Sequence, residues 1–165
     1  MRRSWPARFV IAAKGQIPSE IGGAMSLEHE QALVNAFIDP ARRARWLELL
    51  PSTRGRRRLL ATLAHAAPLD LRYAHRVSGS QSSASAIEVT LRGKGAPEYC
   101  YALSEASDLD GRELLLSEAL GRVVGYGMGT FLSCVPGRLG YFESEERELG
   151  STPDRIDRLK EGRTV

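Results

Sequence analysis

Apolar residues recur at helical spacing over three consecutive stretches, 27–38, 40–50 and 53–66, and each stretch predicts a helix. Asp39-Pro40 separates the first two, because Asp is a good helix cap and Pro suits the first helical position. Pro51-Ser52 then interrupts the pattern and restarts it. In the second helix we expect the buried side to carry Ala44, Leu47 and Leu50, with Trp46 nearby.

A serine-rich polar stretch at 78–85 is typical of a flexible linker. Residues 86–92 permit either a strand, by their alternation, or a helix. We favour the helix, because Ser85-Ala86-Ile87-Glu88 has capping-box spacing and glycines follow. Beyond this point the pattern predicts strands at 98–104, 130–135 and 138–143, and an amphipathic helix at 112–124.

Together these elements predict an α+β fold, or a small α/β fold. Three N-terminal helices would pack on a short three-stranded sheet, and helix 112–124 would be its one crossover helix. Residues 26–143 would form a single globular domain. Residues 1–25 are expected to be a poorly ordered leader, with Met25 as an alternative start, and 144–165 a charged tail.

Length and composition indicate a soluble, cytoplasmic, single-domain protein. The chain has 165 residues, of which 42% are hydrophobic, and no apolar run is long enough to span a membrane. Its two cysteines, Cys100 and Cys134, lie in apolar surroundings, so we expect them to be reduced and buried. They and the scattered histidines, His29, His65 and His75, lack the close spacing of a metal site. No cofactor is expected, and the oligomeric state stays open.

Charge is distributed unevenly along the chain. Residues 1–80 contain 13 Lys+Arg against 6 Asp+Glu, whereas residues 81–165 contain 10 against 14. Seven arginines fall within 17 residues, across the second helix, the break and the start of the third. They are Arg42, Arg43, Arg45, Arg54, Arg56, Arg57 and Arg58. The planar guanidinium suits phosphate and carboxylate, so this cluster predicts a basic helical face that contacts an acidic partner, a nucleic acid or a protein.

Two features limit that hypothesis. The arrangement has the outline of a helix-turn-helix, but the break of two residues is shorter than the usual turn, and few Asn or Gln accompany the arginines to read bases. The same arginines could also form a solvated face that pairs with the acidic second half of the chain.

The candidate catalytic residues lie in an acidic loop that directly follows a predicted strand. They are Ser104, Glu105, Asp108 and Asp110, with Glu113 close behind. Carboxylates at the end of a strand could supply acid/base groups or hold a divalent cation. Equally, Asp108 and Asp110 could be turn and helix-cap residues.

The glycines of Gly125-x-Gly127-x-Gly129 close a helix before a strand, so they indicate a helix end and a tight turn rather than a dinucleotide site. They could also let a ligand approach the backbone closely. No nucleophile–base–orienter set is recognisable. We therefore favour a regulatory or interaction domain over its alternative, a small enzyme using the loop 104–113 beside the turn 125–129.

Overall fold

The computed structural model describes residues 6–12, 25–65 and 68–147. Within them the chain forms six strands and five α-helices, with short 3₁₀ helices at Pro40–Arg42, Leu71–Tyr73 and Gly79–Gln81. The strands are β1 (Pro6–Ala12), β2 (Ala74–Arg76), β3 (Tyr99–Ser104), β4 (Glu113–Leu115), β5 (Thr130–Val135) and β6 (Leu139–Arg147). The helices are α1 (Met25–Phe37), α2 (Arg43–Leu49), α3 (Thr53–Leu63), α4 (Ala84–Gly93) and α5 (Leu116–Val123).

All six strands belong to one sheet with the order β2-β1-β6-β5-β3-β4. Every neighbouring pair is antiparallel. Phe142 of β6 stands opposite Phe9 of β1 and opposite Phe131 of β5, so aromatic residues cross the middle of the sheet.

Successive strand residues point to opposite sides of the sheet, and apolar residues occur on both sides. Helices cover both faces and bury them. On one face Phe131, Phe142 and Leu103 pack with the apolar side chains of α1, α2 and α3. On the other face Leu132 and Tyr141 pack with α4 and α5. The sheet therefore has a hydrophobic core on each side.

The predicted architecture of three helices on a three-stranded sheet was wrong, although the fold is α+β in broad terms. Strands β2 and β4 have three residues each, too few to show an alternating pattern. Helix 112–124 was expected to cross between the first two strands, but its first residues form β4, and β3 and β5 are antiparallel neighbours.

Strand β1 lies within the segment that we expected to be a poorly ordered leader. It occupies an interior position between β2 and β6, and it buries Val10 and Ile11 on opposite faces of the sheet. At the other end, β6 continues to Arg147, into the expected tail. Met25, the last residue of the expected leader, begins α1, and the remaining parts of both segments lie outside the described residues.

Several local predictions are confirmed. The side chains of Asp39 and Ser52 cap the helical segments that follow them, accepting from the backbone N–H of Ala41 and Gly55. Residues 86–92 are helical, within α4, although Ser83 rather than Ser85 caps that helix. No helix in the described ranges is long and apolar enough to cross a membrane.

The buried side of α2 was predicted incorrectly. Trp46 and Leu50 are buried, whereas Ala44 and Leu47 are exposed. Along α2, the buried Trp46 and Leu50 are four residues apart and the partly buried Leu49 is next to them, so the buried side is centred on Trp46 and leaves Ala44 and Leu47 outside it.

Candidate functional site

The structure divides the predicted arginine cluster into two groups. Arg43 and Arg56 are partly buried, and Arg43 Nε donates to the carbonyl oxygen of Ile38 at 2.9 Å. The other five are exposed, and their side chains make no ion pair or hydrogen bond with any residue that the structure describes. We call these five the arginine face: Arg42, Arg45, Arg54, Arg57 and Arg58.

The direction of the arginine face follows from the packing of α3. This helix buries Gly55, Leu59, Leu60 and Leu63. At 3.6 residues per turn, Arg54, Arg57 and Arg58 fall on the opposite side of the helix. Gly55 packs so closely on the end of α2 that a Cβ atom would collide with the carbonyl oxygen of Leu49. Helices α2 and α3, which carry four of the five arginines of this face, therefore form a tightly joined pair.

Arg56 is the centre of a polar cluster that connects four parts of the fold. Its Nε and Nη2 atoms donate to the Asp110 carboxylate at 2.6 and 2.9 Å. Its Nη1 atom lies 2.6 Å from Oε1 of Glu30 on α1. The same Glu30 oxygen accepts the hydroxyl of Tyr101, on β3, at 2.5 Å.

The charged side chains of this cluster are largely buried, and each one is paired with an opposite charge. The side chains of Arg56, Asp110 and Glu30 are 22%, 16% and 9% exposed. Hydrogen bonding to Asp110, and then to Glu30, raises the pKa of Arg56. Burial, followed by the hydrogen bond to Glu30, raises the pKa of Tyr101. Arg56 is therefore committed to holding the fold together and is not part of the arginine face.

An open groove lies above this cluster, between the first turn of α1 and the first turn of α3. We call it the α1–α3 groove. It has a volume of about 380 Å³. Its polar lining includes Glu30, Arg56 and Tyr101, and its apolar lining consists of Leu27, Leu50 and Pro51. A recess of about 180 Å³ adjoins it and includes the exposed Leu47.

The acidic loop does not form a common site. Asp110 is bound to Arg56 and accepts the backbone N–H of Ser104 at 3.1 Å. Asp108 is exposed and pairs with Arg122 at 2.6 Å, and Glu105 is exposed. Ser104 Oγ is buried, where it bonds with Thr130 Oγ1 at 2.6 Å. The candidate catalytic residues are thus directed to different partners.

The glycine turn is held by a buried carboxylate. Glu143 Oε1 accepts the backbone N–H groups of Gly125 and Gly127 at 2.9 and 3.0 Å. Its Oε2 atom accepts the hydroxyl of Tyr141 at 2.7 Å and lies 3.3 Å from Arg8 Nε. Burial, together with the nearby Glu143 charge, raises the pKa of Tyr141.

Gly129 completes the glycine turn by packing directly on the end of α3. A Cβ atom there would collide with the backbone nitrogen of Ala64 and lie 2.7 Å from its Cα. Positive φ angles of 91° at Gly125 and 60° at Gly127, together with the close packing of Gly129, therefore account for these glycines without a ligand.

The structural role of His29 could not be predicted from the sequence. Its Nδ1 atom lies 2.8 Å from Ser133 Oγ, and its ring stacks on Tyr101 with centroids 5.5 Å apart. Burial lowers the pKa of His29, while Glu28 and Glu113 act in the opposite direction. Because Ser133 is only 1% exposed, a substrate cannot reach its hydroxyl in this conformation.

The two cysteines are free and buried, as the sequence predicts. Burial raises the pKa of Cys100 to about 12 and raises that of Cys134 as well. A thiolate nucleophile is therefore disfavoured at both positions. No cluster of three or more His, Cys, Asp or Glu side chains suited to a metal ion occurs in the described part of the chain.

Two buried acids that sequence analysis did not single out have detectable signals. Glu30 precedes Leu33, Val34 and Phe37 by three, four and seven residues, so it shares the buried side of α1. Glu143 follows Leu139 and Tyr141 on one face of β6, where strand alternation places it in the core. In both cases an acidic residue continues a row of apolar residues, and this pattern indicates a buried carboxylate.

Comparison with known proteins gives no match: no family model fits the chain, and no curated protein or solved structure is significantly similar to it.

Proposed function

We propose that this protein is a cytoplasmic, non-enzymatic interaction domain that binds an acidic partner, a nucleic acid or an acidic protein, through the arginine face. The observation that carries the proposal is that five of the seven clustered arginines are exposed and pair with no carboxylate in the described ranges. The other two arginines bond within the protein: Arg43 donates to the carbonyl oxygen of Ile38, and Arg56 donates to the carboxylate of Asp110.

The physical argument concerns what these five guanidinium groups could otherwise do. Arg54, Arg57 and Arg58 share one side of α3, and like charges repel one another, so these three carry an electrostatic cost when they have no partner. Each guanidinium presents a fork of N–H donors that matches a phosphate or carboxylate. An anionic partner would remove the repulsion and use the donors.

The alternative, a small enzyme using the loop 104–113 beside the turn 125–129, has less support. Its carboxylates diverge, since Asp110 holds Arg56 and Asp108 pairs with Arg122. The backbone N–H groups of Gly125 and Gly127, which could have bound an anionic substrate, are used by Glu143.

The proposal is tested by measuring binding of a labelled single-stranded oligonucleotide and of polyglutamate by fluorescence anisotropy at low salt. The variant Arg54→Ala/Arg57→Ala/Arg58→Ala removes three charges from the arginine face. We expect it to lose about tenfold or more in affinity for the probe that the wild type binds.

The matched control is Arg76→Ala/Arg92→Ala/Lys94→Ala, which removes the same charge from exposed positions outside the arginine face. It should lose about twofold or less, because its side chains do not touch the partner. An equal loss in both variants would show a general charge effect and contradict the proposal. Failure of the wild type to bind either probe would do the same.

A further inference from the structure

We infer that the acidic partner is a single-stranded nucleic acid, and that the α1–α3 groove receives one of its unpaired bases. This inference rests on the proposed function, because the arginine face would have to bind the phosphates. It adds a specific site for a base and a chemical preference among bases.

The groove begins where the arginine face ends. Thr53 and Arg56 line the groove, and the next residue after each, Arg54 and Arg57, belongs to the arginine face. Residues four apart share one side of a helix, so Arg57 lies beside Thr53 at the edge of the groove. A strand whose phosphates contact Arg54 and Arg57 would have a base at the mouth of the groove.

The size of the groove suits one base. Sites for small ligands have volumes of roughly 300–1,000 Å³. The α1–α3 groove, at about 380 Å³, lies near the lower end of that range. A paired base inside a duplex could not enter it, whereas bases of a single strand can be splayed out.

The walls and the floor of the groove differ in chemistry. Leu27, which is 49% exposed, and Pro51 offer apolar contact to the flat faces of a ring. On the floor, both contacts of the Glu30 carboxylate use Oε1, with Arg56 and with Tyr101. No described residue donates a hydrogen bond to its Oε2, which leaves an acceptor for a ligand.

A carboxylate acceptor selects bases that carry an amino group. Cytosine offers N4–H₂, adenine N6–H₂ and guanine N2–H₂, and acidic side chains accept from cytosine N4 in known complexes. Thymine has no amino group, and its one donor, N3–H, lies between two carbonyl oxygens that would face the carboxylate and repel it. We therefore expect cytosine to bind better than thymine when the length and the backbone charge are the same.

The experiment compares labelled oligo-dC, oligo-dT and an abasic oligomer of equal length, together with a duplex, by anisotropy on the full chain. The wild type should bind oligo-dC about fivefold or more tightly than oligo-dT or the abasic strand, the effect of roughly one hydrogen bond. Equal affinity for all three single strands, or equally tight binding of the duplex, would overturn the inference.

Leu27→Lys provides a variant that keeps every residue of the buried polar cluster. It places an amine three residues before Glu30 on α1, where it can occupy the groove in place of a base. We expect the preference for oligo-dC to disappear. Val89→Lys adds the same charge at a position that is 72% exposed on α4, and it should keep the preference. A preference that persists in Leu27→Lys would also overturn the inference.

These outcomes separate the two proposals. If the wild type binds all single strands alike and the triple arginine variant loses that binding, the arginine face is retained and the base site is wrong. If polyglutamate binds and no oligonucleotide does, the partner is an acidic protein and the base site is again wrong. If no probe binds, both proposals fail.

Discussion

Arg56 of α3 binds both carboxylate oxygens of Asp110, a residue that lies 54 positions later in the chain. This contact joins one member of the arginine cluster to one member of the acidic loop. It fixes the loop after β3 against α3, and it explains why Arg56 differs from its neighbours Arg57 and Arg58. The separation of a structural arginine from five exposed ones is the basis of the functional proposal.

Replacing Arg56 should destabilise the protein far more than replacing its neighbour. In Arg56→Ala the carboxylates of Glu30 and Asp110 lose their cation, and the free energy of unfolding should fall by about 2–3 kcal/mol, less than for a fully buried pair. Arg57→Ala should change it by about 0.5 kcal/mol or less, because Arg57 is exposed. Urea unfolding measures both, and equal effects would contradict the assignment of Arg56 to the fold.

Glu143→Gln should loosen the glycine turn. The amide retains one acceptor but loses the charge that faces Arg8, and its NH₂ group cannot accept a hydrogen bond. We expect the free energy of unfolding to fall by about 1–3 kcal/mol and amide exchange at Gly125 and Gly127 to become faster. Glu118→Gln, on the exposed side of α5, is the control. Unchanged exchange in Glu143→Gln would show that Glu143 does not hold the turn.

His29 should make stability depend on pH. Burial lowers its pKa below the ordinary value of 6.5, so the unfolded chain binds the proton more readily than the folded one. The contribution of neutral His29 is therefore fully present above pH 6.5 and is lost as the pH falls towards the folded pKa.

Urea unfolding about one pH unit above and below 6.5 tests this expectation. His29→Gln cannot titrate in this range, so its loss of stability on acidification should be smaller than that of the wild type. If both proteins lose the same amount, another group is responsible for the change.

Two glycines should respond in opposite ways to replacement by alanine. Gly121 lies within α5, and a Cβ atom there would meet no atom within 4 Å, so Gly121→Ala should stabilise by about 0.5–1 kcal/mol. Gly129→Ala should destabilise, because the new Cβ would strike the Ala64 backbone. Thermal unfolding distinguishes the two, and a stable Gly129→Ala protein would contradict the close packing of the turn on α3.

The helices could largely be predicted from the sequence, because their signals are local. The cap at Ser52 and the periodic leucines of α3 lie within one short segment. Strands β2 and β4 could not be predicted, since three residues carry no usable pattern and their pairing depends on distant partners. Strand β1 likewise gains its buried position from β6, more than a hundred residues later in the chain.

The candidate site was predicted only in part. The arginine cluster is visible in the sequence, and Arg56 precedes Leu59, Leu60 and Leu63 by three, four and seven residues, which places it on the buried side of α3. Its partners Glu30 and Asp110 could not be predicted, because the fold brings them from other elements. The α1–α3 groove also depends on tertiary structure, because it lies between helices whose relative placement the sequence does not specify.

The most direct test of the arginine face is the salt dependence of binding to a single-stranded oligonucleotide. Each phosphate contact lowers the slope of log K against log[salt] by about 0.7 for a single strand. We predict a steep slope for the wild type, and a slope smaller by about 2 in magnitude for Arg54→Ala/Arg57→Ala/Arg58→Ala. An affinity that is insensitive to salt, or the same slope in both proteins, would contradict the account.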